Sequence, residues 1–255
     1  MSGRSQRAGL ATLTPDWPVP ETVRAAFTLR TGGVSAPPCD SLNVGVHVGD
    51  DAQAVAENRR RIAAALGLPA EPVWMEQVHG VEVLDLDAMV PLPGVHKADA
   101  ALTRTTGRVC AVQVADCLPV LLAVRDGSAV AAAHAGWRGL AAGVLEATVR
   151  AFADRPGQLI AWLGPGISQA HFEVGEEVRR AFLAQDAGAA AAFTANARGR
   201  WQCDLAGLAR QRLEKLGVAA VFGGGWCTYA DAARFFSFRR DGRCGRMAAL
   251  IWRAQ

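Results

Sequence analysis

The sequence predicts an α+β fold, because strand patterns and helix patterns are both present but do not alternate regularly along the chain. Two observations carry this prediction. Short apolar runs bounded by turn signals indicate strands joined in hairpins, as at residues 119–124 and 129–134 on either side of the Asp126-Gly127 turn. Other segments repeat apolar residues at helical spacing between capping residues, which is typical of amphipathic helices.

The predicted elements follow one another in this order. A first strand at residues 23–29 has alternating apolar positions and ends at a glycine turn. Asp51 can cap the helix that follows, and Gly67 can close it. Further strands are predicted at residues 81–86, 108–114, 119–124, 129–134, 159–163 and 247–252. Further helices are predicted from the loop at residues 136–139 to about residue 153, at residues 173–185 and at residues 204–216, with helix plus loop at residues 187–197.

Length and composition favour a single catalytic domain over residues 1–255. Hydrophobic residues make up 51% of the 255 residues, so the chain can bury a large core. No linker, repeat or low-complexity block divides it. The net charge is only +3, and the positive residues, nearly all arginines, are interspersed with acidic residues. We therefore expect no nucleic-acid partner.

The start of the chain and its cysteines indicate the compartment. The first residues lack the apolar region that a secretory signal peptide requires. The six cysteines are scattered along a chain without such a signal, which favours free thiols. Gln113 and Asp116 interrupt the best apolar stretch, so no segment is long enough to cross a bilayer. We expect a cytoplasmic protein with no membrane partner, and the oligomeric state is not given by the sequence.

A thiol and two imidazoles form the candidate metal site. Cys117 precedes the first strand of the predicted hairpin and His134 ends the second, so the hairpin brings them together. His79 ends another short apolar segment and is followed by glycine. Two imidazoles and one thiolate suit zinc, with a fourth position open for water or substrate. The spacing is not a standard metal-binding motif, so a buried thiol and ordinary histidines remain the alternative interpretation.

The chain is identified as a member of the laccase-domain family of purine nucleoside phosphorylases, whose bacterial members are also called polyphenol oxidases or peptidoglycan editing factors. The most specific matching segments are Ala-Asp-Cys-Leu-Pro at residues 115–119 and His-Ala-Gly-Trp-Arg-Gly at residues 134–139. Others, in the family's order, lie at residues 28–35, 41–45, 47–50, 57–60, 77–80, 97–99, 163–166 and 235–240. The resemblance implies a cysteine-hydrolase-like fold of four layers, α/β/β/α, with mixed β-sheets and the metal site in a shallow cleft.

The resemblance also implies an activity. Family members split adenosine, inosine, guanosine and methylthioadenosine with phosphate, and some deaminate adenosine. The expected partners are therefore a purine nucleoside and phosphate, and the expected cofactor is zinc, with copper able to occupy the same site. The residues assigned to catalysis and metal binding are His79, Cys117 and His134, with His47 as a candidate proton donor to the departing purine.

Substrate-binding candidates lie in the segments that carry the resemblance. Arginine side chains can bind phosphate through paired N–H groups, and the candidates are Arg30, Arg138, Arg239 and Arg246. Surface salt bridges are expected instead for Arg240 and Arg243. Asn43 and Gln77 are candidates for reading sugar hydroxyls or a purine edge, Asp116 for orienting a metal ligand, and Cys227 for a neighbour of the site.

Three other chemistries stay open from the sequence. His134 could deprotonate Cys117 for attack on a carbonyl, although a second histidine is better explained as a metal ligand. Oxidation of phenols by several coppers would need more imidazoles than this chain's five histidines, which include no His-x-His pair, can supply. Editing of peptidoglycan precursors, by amide hydrolysis or by binding, is implied by one family name, but no residue pattern selects that substrate.

Overall fold

The computed structural model describes residues 10–88, 96–153 and 156–254. Its helices are α1 (Ala52–Leu66), α2 (Trp137–Ala142), α3 (Val144–Ala151), α4 (Glu176–Leu183), α5 (Leu205–Lys215) and α6 (Phe238–Asp241). Its strands are β1 (Thr12–Leu13), β2 (Val23–Thr28), β3 (Val83–Asp85), β4 (Ala100–Thr103), β5 (Val109–Val114), β6 (Leu118–Val124), β7 (Val130–Ala135), β8 (Leu159–Leu163), β9 (Glu173–Val174), β10 (Phe193–Ala195), β11 (Trp201–Cys203), β12 (Ala220–Gly223) and β13 (Met247–Arg253).

A mixed sheet of six strands carries the predicted hairpin at its centre. The strand order is β12-β8-β6-β7-β4-β3. The hairpin β6–β7 is antiparallel, and Pro119 pairs with His134 across it. The edge strands β12 and β3 run parallel to their neighbours, whereas the inner pairs are antiparallel. The Asp126-Gly127 turn closes the hairpin, as its sequence predicts.

A second sheet has the order β1-β2-β13-β5 and antiparallel pairing between its strands. Val73 adds an isolated parallel bridge to Cys110 of β5. A smaller antiparallel sheet has the order β10-β11-β9, where β9 precedes α4 in the chain and β10 and β11 lie between α4 and α5. The α+β class with mixed sheets is confirmed, whereas the likeness to cysteine hydrolases stays a prediction.

Buried side chains join the two larger sheets to each other. Val112 and Ile251 of the four-stranded sheet share a cluster with Leu121 of the six-stranded sheet. The opposite face of the four-stranded sheet packs against α1, where Ile62 lies in a cluster with Leu250. The apolar face predicted for the first helix is therefore the face that meets the sheet.

Helices α3, α4 and α5 pack on the other side of the six-stranded sheet. Leu122 of β6 shares a buried cluster with Leu145, Phe182 and Leu213, one residue from each helix. Full burial of such a side chain stabilises a fold by about 1.5–3 kcal/mol. Because these clusters extend through both sheets, we expect the fold to persist without a bound metal ion.

The predicted helices differ from the structure where glycine or strand pairing intervenes. The helix predicted to run from residues 136–139 to about residue 153 is divided into α2 and α3, because Gly143 adopts a φ of 105°. The helix predicted at residues 173–185 begins only at Glu176, since residues 173–174 pair with β11. Residues 187–197 contain a short 3₁₀ helix and then β10.

Other elements agree with the sequence or were too short to be predicted from it. Helix α1 is capped by Asp51 and closed by Gly67, as predicted. The strand predicted at residues 81–86 is confined to β3. The sequence does not predict β4, because its four residues are buried on both faces and show no alternation.

Within the described ranges, no helix combines the length and apolar character that a membrane crossing requires. All six cysteines are free thiols. The single domain expected over residues 1–255 stays a prediction, and residues 1–9, 89–95, 154–155 and 255 lie outside the described part of the chain.

Candidate metal centre

Cys117 and His134 meet at one end of the hairpin β6–β7. Cys117 directly precedes β6. His134 is the next-to-last residue of β7 and pairs with Pro119 of β6. Together with His79 they offer three ligand atoms, all within 4.8 Å of one another. The structure therefore brings together the thiol and the two imidazoles that the sequence singles out.

His79 approaches the hairpin from a turn in an unusual backbone conformation. Its Nε2 lies 3.8 Å from Sγ of Cys117, and its ring packs edge-on against that of His134 with 4.8 Å between centroids. The φ of His79 is 61°, in the left-handed region that residues other than glycine rarely adopt. The consecutive amides of residues 78–80 all donate hydrogen bonds to the carboxylate of Asp99. These hydrogen bonds hold the turn in place.

Asp99 also orients His134. It is fully buried, and its Oδ1 lies 2.8 Å from Nδ1 of His134. Because a carboxylate only accepts hydrogen bonds, Nδ1 carries the proton and Nε2 is left to face Cys117. Carboxylates commonly hold metal-binding histidines in this way. No role is predicted for Asp99 from the sequence. The available signal is its place directly before a buried strand, where an acidic side chain must have hydrogen-bond partners.

The surroundings favour a thiolate at Cys117. Burial raises the pKa of the Cys117 thiol, but the adjacent His134 and His79 outweigh burial and lower that pKa to about 6. Burial lowers the pKa of His134, but Cys117 and Asp99 outweigh it and raise that pKa. For Asp99, burial raises the pKa, while hydrogen bonds from His134 and the Gly80 amide lower it on balance. The thiolate is the form of cysteine that binds metals.

Two glycines of the 134–139 segment make room for His79. A Cβ atom on Gly136 would lie 2.7 Å from Cδ2 of His79 and 3.0 Å from Sγ of Cys117. A Cβ atom on Gly139 would lie 2.9 Å from the carbonyl oxygen of Gly80. Both positions therefore need a residue without a side chain if α2 is to pack against the metal centre.

The three side chains fit a metal ion by donor type and by spacing. The ligands of a tetrahedral zinc ion, each at about 2.0–2.3 Å from it, are about 3.5 Å apart. The distance of 3.8 Å between Nε2 of His79 and Sγ of Cys117 is close to this value. His134 is buried while His79 is exposed, so the group opens to solvent on one side. This arrangement can hold an ion and leave a position for a further ligand.

Asp116 secures the neighbouring loops rather than a histidine. Its Oδ1 accepts a hydrogen bond from the hydroxyl of Thr228, and its Oδ2 accepts one from the amide of Arg239, both at 2.6 Å. The role of orienting a ligand, which the sequence analysis gave to Asp116, is thus filled by Asp99. Asp116 directly precedes Cys117, and its two hydrogen bonds tie Thr228 and the start of α6 to the segment that carries the thiol.

Arg30 and Arg239 are two of the three candidate arginines whose guanidinium groups donate to backbone carbonyls, and Arg246 is the third. Arg30 donates to the carbonyl and the carboxylate of Asp40 and to the carbonyl of Ala232. Arg239 donates through Nη1 to the carbonyl of Glu173, at 2.8 Å. These contacts give both arginines a structural role in the described part of the chain, and phosphate binding by them stays a prediction.

The other two candidates have guanidinium nitrogens without a hydrogen bond to the described residues. Arg138 is exposed in the first turn of α2, two residues after Gly136, and its guanidinium stacks on Trp137 at 4.3 Å. Arg246 donates through Nη1 to the carbonyls of the two preceding residues. It is close enough to His47 to contribute to lowering the pKa of that imidazole. Phosphate binding by both arginines stays a prediction.

His47 is exposed and lies in the same electrostatic neighbourhood. Burial lowers the pKa of His47, and the positive charges of Arg246, Arg59 and His134 lower it further. The imidazole is therefore mainly neutral near pH 7, which does not favour it as a protonated acid. Its role as a proton donor stays a prediction.

The amides of Asn43 and Gln77 are occupied by the backbone. Buried Asn43 donates to the carbonyl of Gly45 and accepts from the amides of Gly45 and Arg246. Gln77 forms a pair of hydrogen bonds with the backbone of Gln113, at 2.7 and 2.8 Å. Both side chains therefore shape the loops around the centre, and direct substrate contact by them stays a prediction.

The remaining candidates lie outside the ligand group. The thiol of Cys227 accepts a hydrogen bond from the hydroxyl of Ser168, at 3.0 Å. Arg240 forms the expected pair with Asp241 and also donates to three backbone carbonyls. Arg243 donates to backbone carbonyls of residues 48 and 49 rather than to a carboxylate.

Comparisons with known proteins find relatives that carry one name. A protein of Escherichia coli (strain K12) named purine nucleoside phosphorylase YfiH is 55% identical, over 94% of this chain and 98% of its own. A Haemophilus influenzae protein named purine nucleoside phosphorylase is 44% identical, over 94% of this chain and 98% of its own.

Solved structures show the same fold. The crystal structure of the Neisseria meningitidis protein NMB0706 has a TM-score of 0.91 and 46% identity, covering 96% of this chain and 99% of its own. That of YlmD from Geobacillus stearothermophilus has a TM-score of 0.88 and 29% identity, covering all of both chains. The family model described as multi-copper polyphenol oxidoreductase laccase matches residues 24–254. With this match over most of its length, the chain belongs to that laccase-like family.

Proposed function

We propose that this protein is a zinc-dependent purine nucleoside phosphorylase, which converts a purine nucleoside and phosphate into the free base and ribose 1-phosphate. The observation that carries the proposal is the group of His79, Cys117 and His134, oriented by Asp99. It is supported by the names of the matched relatives.

The donor set supports zinc and keeps copper as the alternative ion. When bound, zinc supplies a positive charge and an open coordination position that can orient an oxyanion or water. Copper has a higher intrinsic affinity for thiolate and imidazole, so metal content must be measured. Oxidation of phenols with several coppers is not proposed, because residues 10–88, 96–153 and 156–254 hold a single such group of His, Cys, Asp and Glu.

Phosphate binding is assigned to Arg138 and Arg246. An anionic nucleophile must be held beneath the anomeric carbon, because the sugar becomes cationic as the glycosidic bond breaks. Guanidinium groups bind phosphate through charge-assisted hydrogen bonds. In the described part of the chain, hydrogen bonds use one nitrogen of Arg246, and Arg138 contacts only the ring of Trp137. We propose that the remaining N–H groups bind the phosphate.

The proton balance assigns His47 a relay role. Phosphate enters as HPO₄²⁻ and leaves as a sugar phosphate, so the proton it carried must reach the departing purine. A neutral imidazole can accept a proton at one nitrogen while it donates from the other. The lowered pKa of His47, caused by burial and by Arg246, fits this neutral form better than a permanently protonated acid.

The expected substrates are adenosine, inosine, guanosine and methylthioadenosine, with deamination of adenosine as a side activity. The test is product analysis with the purified, metal-loaded protein. Adenosine should give adenine and ribose 1-phosphate only when phosphate is present, whereas inosine formed by deamination should not depend on phosphate. Free ribose at an unchanged rate without phosphate would mean hydrolysis and would contradict the proposal.

One observation favours a second candidate function. Cys117, His134 and Asp99 form a thiolate, imidazole and carboxylate series of the kind used in nucleophilic catalysis. In that case Cys117 would attack an amide carbonyl, and His134 would donate a proton to the departing amine. A chelated, metal-free protein that still cleaves a peptidoglycan-precursor amide would support this candidate. Loss of all activity on chelation would count against it.

A further inference from the structure

We propose that Phe238 is the platform on which the purine ring of the substrate stacks, and this inference rests on the proposed phosphorylase function. Phe238 begins α6, whose next residue, Arg239, donates an amide hydrogen bond to Asp116, the residue before Cys117. Neither the sequence analysis nor the metal-site chemistry gives this side chain a role.

The first observation is exposure. Phe238 has 57% of its surface exposed to solvent, which is costly for an aromatic side chain. Two other large apolar side chains of the described residues, Val46 and Val78, are 63% and 48% exposed and directly precede His47 and His79. Apolar side chains therefore flank the polar centre. A largely apolar lining with a few placed polar groups is typical of small-molecule sites.

The second observation is that the backbone at Phe238 is tied to the segment that carries Cys117. The side chain of Ser237, which is fully buried, caps α6 by accepting from the amide of Arg240. The amide of Arg239 donates to Asp116, the residue before Cys117, at 2.6 Å. Arg239, which follows Phe238 in the chain, is therefore hydrogen-bonded through its amide to Asp116, which directly precedes Cys117. A fixed aromatic ring loses little conformational entropy when a ligand packs on it.

A third observation concerns the charge beside the ring. The guanidinium of Arg246 lies over Phe238, 5.9 Å from the ring centroid. Hydrogen bonds to the carbonyls of Cys244 and Gly245 fix this guanidinium. A residue assigned to phosphate thus also contacts the ring. During phosphorolysis the phosphate attacks the anomeric carbon from the face opposite the departing base, so both groups lie close to that carbon. The contact between Arg246 and Phe238 keeps the proposed binding groups for phosphate and base close enough to serve one sugar.

Stacking on Phe238 favours a flat, aromatic ligand but does not distinguish the hydrogen-bonding groups at the edge of that ligand. Stacking on an aromatic ring depends on the π-face, which adenine, guanine and hypoxanthine share. The amides of Asn43 and Gln77, which could have read a purine edge, are bound to the backbone. Stacking on Phe238 therefore predicts a site that accepts several purine nucleosides with similar affinity.

The experiment compares Phe238→Ala, Phe238→Leu and Phe238→Trp with the wild type. Leucine keeps an apolar side chain without a π-face, and tryptophan keeps the π-face. The KM for inosine should rise about tenfold or more in the alanine variant and somewhat less in the leucine variant, and tryptophan should restore it. The KM for phosphate should change less than the KM for inosine, because the metal and Arg138 are untouched and the guanidinium of Arg246 stays bound to the carbonyls of Cys244 and Gly245 when the ring is removed.

Val34→Ala is the matched control, because Val34 is another exposed apolar side chain, at 44%. It should leave both KM values unchanged. Equal KM values for inosine in the wild type and all three Phe238 variants would overturn the stacking role while leaving phosphorolysis intact. A wild-type protein that neither binds inosine in a calorimeter nor releases hypoxanthine would overturn the phosphorylase function itself, and the platform with it.

Discussion

Oδ1 of Asp99 lies 2.8 Å from Nδ1 of His134, and both groups are buried. The same carboxylate accepts hydrogen bonds from the three amides of the turn that carries His79. One acidic side chain therefore orients the two imidazoles of the centre and sets the tautomer of one of them. The metal site depends on Asp99 as well as on its three ligands.

Replacing Asp99 with Asn should weaken metal binding about 10-fold to 100-fold. The amide keeps the volume but removes the negative charge, and it can accept from the turn and from His134 through only one oxygen. The check is the metal retained after dialysis against a series of chelator concentrations. Asp186→Asn, which alters an exposed pair with Lys215, is the control and should bind metal like the wild type. Unchanged metal retention in Asp99→Asn would show that the Asp99 carboxylate is not needed for metal binding.

Cys117→Ala should lose the metal and the activity while the fold survives. The thiolate is one of three ligands, whereas the core is built from large apolar clusters on both sides of the sheets. Metal analysis and far-ultraviolet circular dichroism are the two measurements. Cys227→Ala is the matched control, since its thiol contacts Ser168 and lies outside the ligand group. An alanine variant at position 117 that retains stoichiometric zinc would disprove the ligand assignment.

Gly136→Ala should disturb the centre without replacing a ligand. Its Cβ atom would lie 2.7 Å from Cδ2 of His79, so the imidazole must move. We expect metal affinity to fall at least about tenfold, because a displaced ligand is lost or reoriented. Gly225→Ala is the control, since nothing lies within 4 Å of a Cβ atom there. Equal metal affinity in both variants would show that the centre tolerates the displacement.

The arginine assignment predicts a graded effect on phosphate. Arg138→Ala should raise the KM for phosphate about thirtyfold, in line with the loss of a charge-assisted hydrogen bond. Arg239→Ala should have a smaller effect, because its guanidinium donates to the carbonyl of Glu173. Steady-state kinetics at varied phosphate and saturating nucleoside give both values. A larger rise in the KM for phosphate in Arg239→Ala than in Arg138→Ala would contradict this assignment and would place the phosphate site at α6 instead.

The thiol of Cys117 should titrate well below the range of an ordinary cysteine. His134 and His79 outweigh burial and lower the pKa of Cys117 from 9.0 to about 6 in the metal-free protein. Alkylation by iodoacetamide should therefore be fast above pH about 6 and slow as the thiolate is protonated below it. Subtracting the rate of Cys117→Ala removes the other five thiols. A midpoint near 9 would contradict the proposed electrostatics.

The sequence alone predicts the β6–β7 hairpin and the proximity of Cys117 and His134. Alternating and apolar runs around Asp126-Gly127 specify β6 and β7, and the register then places Cys117 beside His134. The sequence was not sufficient for Asp99, whose partners at Gly80 and His134 lie 19 and 35 residues away in the chain. No periodic pattern links positions that only the tertiary fold brings together.

The arginines show the same limit. A guanidinium can bind phosphate, a carboxylate or a backbone carbonyl, and the residue type does not say which. Arg30 donates to the carbonyl of Ala232, 202 residues further along the chain. Phe238 could not be found either, because a single aromatic residue next to two arginines has no predictive spacing. Its exposure is a property of the folded chain.

The central claim is that one metal ion at His79, Cys117 and His134 is required for phosphorolysis. The direct measurement is a titration of zinc into chelator-treated protein, with ribose 1-phosphate formation from inosine and phosphate followed at each point. The rate should rise in proportion to bound zinc and stop rising at one ion per chain, with no response in Cys117→Ala. Full activity before zinc is added, or no ribose 1-phosphate at one bound ion per chain, would contradict it.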